Sequence, residues 1–443
     1  MSEAAIHFPR GFLWGTATAS HQVEGNNTNN NWYAWENTPG KIVEGQKAGL
    51  ACDWWGGRWK EDFDRAQLSG QNAHRFSIEW SRVQPKPDEW DESALDKYLE
   101  MVRDLTKRGT TPLVTLHHFT DPLWLAEMGG WENPKTPKLF SVFVRKVVTV
   151  LKDYVNLWVT INEPNVYIMG GWVEGTFPPG KKDLGLAMKV YANMVLGHAA
   201  AYHAIHELQP EAQVGIAINY RSLQPSRAWM PLDKVLCNIQ SQLFNNAFIG
   251  ALTNGKLDLV FKKITLPEAV KTQDFVGVNY YSRDLVKFDL GAENILSGTR
   301  SFPPGAELSS TGFIANVPGG MFESLHWAHR FNLPILVTEN GVEDALDTLR
   351  PRYMVEHLHQ VWRAANFNWR IKGYFHWSLV DNFEWERGWT QRFGLWGLNP
   401  ETQERIRRPS VDLYAEICHE NGLSSAMVRK YAPEALDNIF PPV

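Results

Sequence analysis

The chain has 443 residues, 44% of them hydrophobic, and a formal net charge of −5 with no basic block. That length fits a large α/β barrel as one unit, and the charge balance argues against a nucleic-acid binder working through a cationic face. No apolar run is long enough for a membrane span.

There are 20 Trp, more than packing calls for. Indole faces stack well on the C–H faces of sugars, so the excess points toward carbohydrate, with an aromatic-rich core as the plain alternative. Cys52, Cys237 and Cys418 are scattered, odd in number and without metal-ligand spacing. They read as reduced thiols of an intracellular protein. Met1 to Arg10 lacks a basic region followed by an apolar run, so no secretory signal is read and the cytoplasm is expected.

Taken in order, the first strand is expected at Phe12–Thr16, followed by small residues and then Gln22 and Glu24. Gln22 offers a donor and an acceptor together, which suits paired sugar hydroxyls; a solvated loop glutamine is the bland reading. A helix is expected from Asp53 to Leu68. The second strand, His74–Trp80, carries Arg75, which needs an anion: a structural ion pair or a catalytic carboxylate. A helix over Leu95–Arg108, stopped at Gly109, leads to strand three at Thr111–Leu116. The following His117 and His118 alternate in face, so they do not read as a metal pair. One of them binds substrate or both are core histidines.

A helix over Lys138–Tyr154 precedes strand four, Leu157–Pro164, read Leu-Trp-Val-Thr-Ile-Asn-Glu-Pro. Pro164 ends the strand and biases Glu163 to an extended backbone. A carboxylate thus stands at the end of a buried strand, where it must be paired or used. Helix Leu184–Leu208 holds His198, His203 and His206, which read as structural because nothing completes a ligand set. Strand five is Val214–Asn219, and strand six is Asp274–Tyr281. Residues 289–318 read as a long loop over the site. After a helix at Gly320–Phe331, strand seven (Ile335–Gly341) again ends in a glutamate, Glu339, with Asn340-Gly341 as a turn signal. A helix at Leu349–Phe367, strand eight at Lys372–Ser378, an aromatic and acidic loop, and a closing helix at Pro409–Asn421 complete the chain.

Eight strands with helical crossovers predict a single (β/α)8 TIM barrel over residues 1–443. Two strands delivering Glu163 and Glu339 at their C-terminal ends supply the pair of carboxyls that glycosidic bond cleavage needs.

The residues also resemble a known family. Phe12 to Gly25, Thr160 to Pro164, Asn279-Tyr280-Tyr281, Thr338 to Gly341 and Trp377 to Trp385 are similar, in order and across nearly the whole chain, to glycoside hydrolase family 1, the β-glucosidase and β-galactosidase family. The resemblance implies a retaining β-glycosidase with Glu163 as acid/base and Glu339 as nucleophile. It implies Arg75, Asn162 and Tyr281 in support, and a sugar-binding set of Gln22, His118, Asn162, Trp377, Glu384 and Trp385. A cis peptide between Trp377 and Ser378 is implied as well. Strand alternation would send Asn162 and Glu163 to opposite faces, so the strand end must twist or bulge if both serve the site. Glu384 would repel a sugar phosphate, which favours unphosphorylated β-glycosides such as cello-oligosaccharides or aryl and alkyl glycosides. Arg387 and Arg392 are present nearby, but the Ser-Lys-Tyr set of the phospho-glycosidase branch is absent. The mechanism calls for no metal or organic cofactor.

There are departures from the family pattern. Phe119 stands where many members have Trp, Asn165 stands where an aromatic is common, and Phe313 takes the place of a further Trp. With Asn219 these are expected on the aglycone side. A transglycosidase using the same intermediate, a sugar-binding barrel without catalysis, and an endo-glycanase with a similar Asn-Glu-Pro strand are the competing readings.

Overall fold

Eight parallel strands hydrogen-bond in sequence order and close on themselves. In the computed structural model, which describes residues 4–292 and 298–442, they are β1 (Leu13–Ala17), β2 (Ala73–Ser77), β3 (Thr111–His117), β4 (Leu157–Asn162), β5 (Gln213–Asn219), β6 (Phe275–Asn279), β7 (Ile335–Asn340) and β8 (Ile371–Trp377). The β8–β1 pairing, Gly373 opposite Leu13 through Trp377 opposite Ala17, closes the ring. This is the expected (β/α)8 barrel. The strands are rich in β-branched and aromatic residues because both of their faces are covered.

The crossovers are α1 (Trp59–Leu68), α2 (Glu92–Lys107), α3 (Thr136–Leu151), α4 (Leu184–Leu208), α5 (Pro231–Ser241), α6 (Ala247–Asn254), α7 (Pro318–His329), α8 (Arg350–Asn366) and α9 (Ser410–Glu420). Their ends follow local chemistry. The Asp91 carboxylate accepts from the backbone N–H groups of Ser93 and Ala94 at the start of α2. Gly109, at φ +75°, takes the left-handed turn after its end. The strand Ala5–His7 pairs antiparallel with Gly422–Ser424 and ties the two ends of the fold together.

Several expectations need correction. The helix expected from Asp53 begins only at Trp59; Ala51 and Asp53 both have positive φ, so the chain is turning there. Strand two stops at Ser77, and Trp80–Val83 is one helical turn. Within 289–318, Gly298–Ser301 is a strand, paired antiparallel with Arg283–Phe288, which in turn pairs with Ser222–Pro225. The Gly, Ser and Pro of that segment masked a short pairing edge. Residues 293–297 of the expected loop lie outside the described residues, as do residues 1–3 and 443.

The expected structural histidines are in place. His198 in α4 lies 2.6 Å from both Thr160 Oγ1 and the Thr272 carbonyl, and His206 lies 3.0 Å from Asp274. Among the described residues no group of His, Cys, Asp and Glu is arranged to hold a metal ion. None of the described helices is long and apolar enough to cross a membrane.

Candidate active site

The C-terminal ends of the strands open into a cavity of about 340 Å³, lined by Glu163, Glu339, His118, Tyr281, Trp377, Glu384 and Trp385 among others. Both strand-end glutamates are buried and face this one space.

Glu339 is the penultimate residue of β7. Its Oε1 accepts from Arg75 Nη1 at 2.6 Å, and its Oε2 accepts from the Tyr281 hydroxyl at 2.6 Å. Arg75 points inward from β2 and is fully buried. It also donates to Thr115 Oγ1, the Thr338 carbonyl and Asn162 Oδ1. Burial pushes the Glu339 carboxyl up from its ordinary range, while the Arg75 charge and the Tyr281 hydroxyl pull it down. Both neighbours favour its ionised form.

Glu163 follows β4 and is held differently. Its Oε1 accepts from Asn219 Nδ2 at 2.9 Å and Asn279 Nδ2 at 2.8 Å. Its other oxygen has no hydrogen bond within the described residues. Burial first, and then the nearby Glu339 charge, push the Glu163 carboxyl up to about 8. Burial raises both carboxyls, but only Glu339 has a cation against it, while Glu163 carries its proton at neutral pH.

The expected extended backbone at Glu163 is not found. Glu163 has φ 41° and ψ 57°, the left-handed region, uncommon for a residue with a side chain. Its N–H donates to the Ala217 carbonyl, and Pro164 starts the one-turn helix Pro164–Ile168 directly. Proline at a first helical position needs no N–H, so the strand turns into a helix at Glu163 rather than running past it. The β4–β5 register shifts between Val159 and Asn162. The turn and the shift together resolve the alternation conflict, because Asn162 and Glu163 both come to the site.

Asn162 accepts from Arg75 through Oδ1, which orients its amide nitrogen to His118 Nε2 at 3.0 Å. That donor requires an unprotonated Nε2, so His118 carries its proton on Nδ1. Burial and the Arg75 charge hold His118 neutral. His117 faces the other way, against Asp121 at 3.0 Å. The His118 ring stacks on Trp377 and on Trp385, with centroids 6.0 and 5.9 Å away. Gln22, in the turn Ser20–Val23, donates to the Phe383 carbonyl at 2.8 Å and to Glu384 Oε2 at 3.2 Å, while its own buried Oε1 is unpartnered among the described residues. The Trp377–Ser378 peptide is cis, as the resemblance implied.

The expected aglycone residues divide. Phe313 lines the cavity at its mouth and is 40% exposed. Phe119 packs on Trp385 and His118, with centroids 5.1 Å from each, so it stands with the sugar-binding set instead. Asn165 does not line the cavity. It is fully buried, and its amide donates to the Asn219 and Phe244 carbonyls, because the helical turn after Glu163 swings it under the wall. Asn219 reaches the cavity, but its amide is committed to Glu163.

Asn279 was missed as a site residue although its motif was noted. It bonds Glu163, and its own Oδ1 accepts from Thr338 at 2.6 Å. A polar residue closing an apolar strand was the available signal, the same one that marked Asn219. Arg221 and Glu174 also line the mouth, and no local pattern announces them.

Comparisons with known proteins give the family and the fold. Residues 4–423 match the model of Glycosyl hydrolase family 1. Beta-glucosidase A of Thermotoga maritima is 34% identical over 94% of this chain and 98% of its own. A beta-galactosidase of Pyrococcus woesei is 29% identical over 94% and 98%. The solved structure of a beta-glycosidase from Pyrococcus horikoshii superposes with a TM-score of 0.90 at 35% identity, covering 97% of this chain and 98% of that one.

Proposed function

The chain belongs to glycosyl hydrolase family 1, a family of retaining β-glycosidases, and from this premise we propose that Glu339 is its nucleophile and Glu163 its acid/base. The observation that carries the assignment is the opposite treatment of two buried glutamates facing one cavity. Glu339 lies between Arg75 and Tyr281, and Glu163 has one oxygen without a hydrogen bond among the described residues and its carboxyl pushed up to about 8.

In the first step the ionised Glu339 attacks the anomeric carbon, and Glu163 gives its proton to the departing oxygen. The Arg75 guanidinium keeps the attacking carboxylate in place, and Tyr281 orients its second oxygen. Forming the glycosyl ester removes the Glu339 charge, which is one of the two causes raising Glu163. The Glu163 carboxyl then becomes more acidic, and Asn219 and Asn279 stabilise its ionised form. As a base it takes a proton from water, which attacks the anomeric carbon, expels the Glu339 carboxylate and frees the sugar with its configuration retained.

The sugar is held by polar groups that converge beside an aromatic floor. Trp377 supplies an apolar face, while Gln22, His118, Asn162 and Glu384 supply donors and acceptors for hydroxyls. Phe119 has no indole N–H to offer. We favour a β-glucosidase acting on terminal, unphosphorylated residues, with β-galactosidase and β-fucosidase activity as side reactions. Support comes from Glu384, a buried carboxyl that burial and the neighbouring Glu386 and Glu339 push up toward its neutral form and that offers hydrogen bonds to hydroxyls, and from glucosidases and galactosidases alike among the relatives.

We take the chain as one domain, since one buried apolar cluster runs from Phe8 to Ile439. A cytoplasmic location is proposed on the three cysteines, all buried and unpaired. Hydrolysis of aryl β-D-glucoside, β-D-galactoside and β-D-fucoside, with the anomer of the first product followed by proton NMR, tests the function. Release of the β-anomer, fastest from glucoside, is expected; release of the α-anomer, or no cleavage of any of the three, overturns it.

A further inference from the structure

A second cavity, of about 270 Å³, is lined by residues of α5, of α7 and of the turn after β5. Tyr220, in that turn, lines both this cavity and the catalytic one. The groups here that can accept a hydrogen bond are largely committed. Glu323 takes Arg283 Nη2 at 2.6 Å and the Ser222 hydroxyl at 2.5 Å. Asn246 Oδ1 takes the Trp327 indole N–H at 2.9 Å. The donors are not committed. Arg330 Nε and Nη2 make only long contacts, at 3.3 and 3.4 Å, to the Trp327 carbonyl and Asn246 Oδ1, and Nη1 makes none within the described residues. The Tyr220 hydroxyl and the His326 ring make no hydrogen bond there either. The Ser241 hydroxyl oxygen accepts from Asn245 at 3.1 Å, and its own proton has no acceptor among the described residues.

We propose that this cavity is a binding site for a phosphate group, held by Arg330, Tyr220, Ser241 and His326. Uncommitted donors beside committed acceptors call for a ligand that accepts. A tetrahedral phosphate has acceptor oxygens on every side, and the four donors come from three separate elements. Arg330 adds charge-assisted hydrogen bonds from a planar fork. A neutral polyol would bring hydroxyl protons to a wall with few free acceptors, and a cation would meet no free carboxylate. Glu323 is the carboxylate of the lining, and Arg283 stands against it at 2.6 Å, so its charge is met. The His326 ring stacks on Trp369 with centroids 5.4 Å apart, which fixes its plane beside the cavity. Apart from Tyr220, none of the residues lining this cavity lines the catalytic one, so the site stands independently of the glycosidase reading. The phosphate group could belong to inorganic phosphate or to a phosphate monoester, and the test separates the two.

The test is isothermal titration calorimetry with inorganic phosphate and, separately, with glucose 6-phosphate, at constant ionic strength. It uses wild type, Arg330→Met, Arg330→Lys and the double variant Arg330→Met/Ser241→Ala. Arg330 is exposed, so its substitution leaves the core untouched. At least one of the two probes is expected to bind wild type saturably at a single site, and the tighter one identifies the source of the phosphate group. Its Kd should rise about tenfold or more in Arg330→Met and further in the double variant. Arg330→Lys keeps the charge and loses the fork, so it should fall between wild type and Arg330→Met. Absence of saturable binding of either probe to wild type up to about 10 mM overturns the proposal. So does a Kd that stays within about twofold of wild type in the double variant, because the phosphate would then be bound elsewhere.

Discussion

Arg75 Nη1 and Glu339 Oε1 are 2.6 Å apart, in a pair almost sealed from solvent: the Arg75 side chain is 0% exposed and that of Glu339 is 5%. Arg75 spends its remaining donors on Thr115, the Thr338 carbonyl and Asn162, so the proposed nucleophile, its cation and the sugar-binding asparagine form one unit. Breaking a buried pair from one side costs about 3–5 kcal/mol because the other charge is stranded. Arg75→Met should lower kcat/KM by about 10²-fold or more. It should also move the acidic limb of the pH profile to higher pH, since Glu339 must be ionised to attack and has lost the charge that favours ionisation. Arg75→Lys should fall between, because a single ammonium cannot reproduce the fork. An acidic limb that stays in place in Arg75→Met contradicts the assignment.

The Glu163 carboxyl sets the other limb. Proton donation requires the carboxylic acid, so kcat/KM should decline as pH rises through about 8. Asn219 donates to the Glu163 carboxyl and favours its ionised form. Asn219→Ala therefore raises the Glu163 pKa and shifts the basic limb upward. A downward shift, or none, would show that this limb belongs to a different group.

Glu163 also ties stability to pH. Its carboxyl is raised in the fold, so between about 4.5 and about 8 the unfolded chain releases a proton that the folded chain keeps. The wild type thus loses stability over that window as pH rises, and a glutamine at this position does not titrate. The melting temperature of Glu163→Gln minus that of wild type should grow from about pH 4.5 to about pH 8 and level off above. A difference that is flat with pH would mean that Glu163 is not held protonated.

Gly341 follows β7 and packs against the backbone of Trp377 at the end of β8. A Cβ there would lie 2.0 Å from the Trp377 carbonyl oxygen. Gly341→Ala should force β7 and β8 apart, at a cost of about 1–3 kcal/mol in denaturant unfolding. It should also raise KM, because Trp377 carries the proposed sugar platform. Unchanged unfolding and KM would show that the strands part without effect.

Much of this was legible in the chain. Apolar runs closed by Glu163 and Glu339 marked both strand ends, and eight such runs with crossovers implied a closed barrel. Helix Leu184–Leu208 has the expected bounds at both ends, and the Asp183 side chain caps its start by accepting from the Leu186 N–H. The misses have local causes. Asn340-Gly341 reads as a turn, but Gly341 is there for close approach. The Asn340 amide donates to the Tyr280 carbonyl at the end of the neighbouring strand and to the Tyr353 hydroxyl on α8, contacts that no window of sequence contains. The left-handed turn at Glu163 runs against the usual effect of a following proline, and hydrogen bonds from β5 and β6 hold it. Asn165 was misplaced for the same reason, since its direction depends on that turn.

The most direct test of the account replaces Glu339 by glycine and supplies azide with an aryl β-D-glucoside. With its nucleophile gone the variant should be inactive on its own, and azide should enter the vacated space to yield the α-glycosyl azide at a restored rate. A β-glycosyl azide, or a Glu339→Gly variant that still hydrolyses at the wild-type rate, would contradict the assignment of Glu339 as the nucleophile.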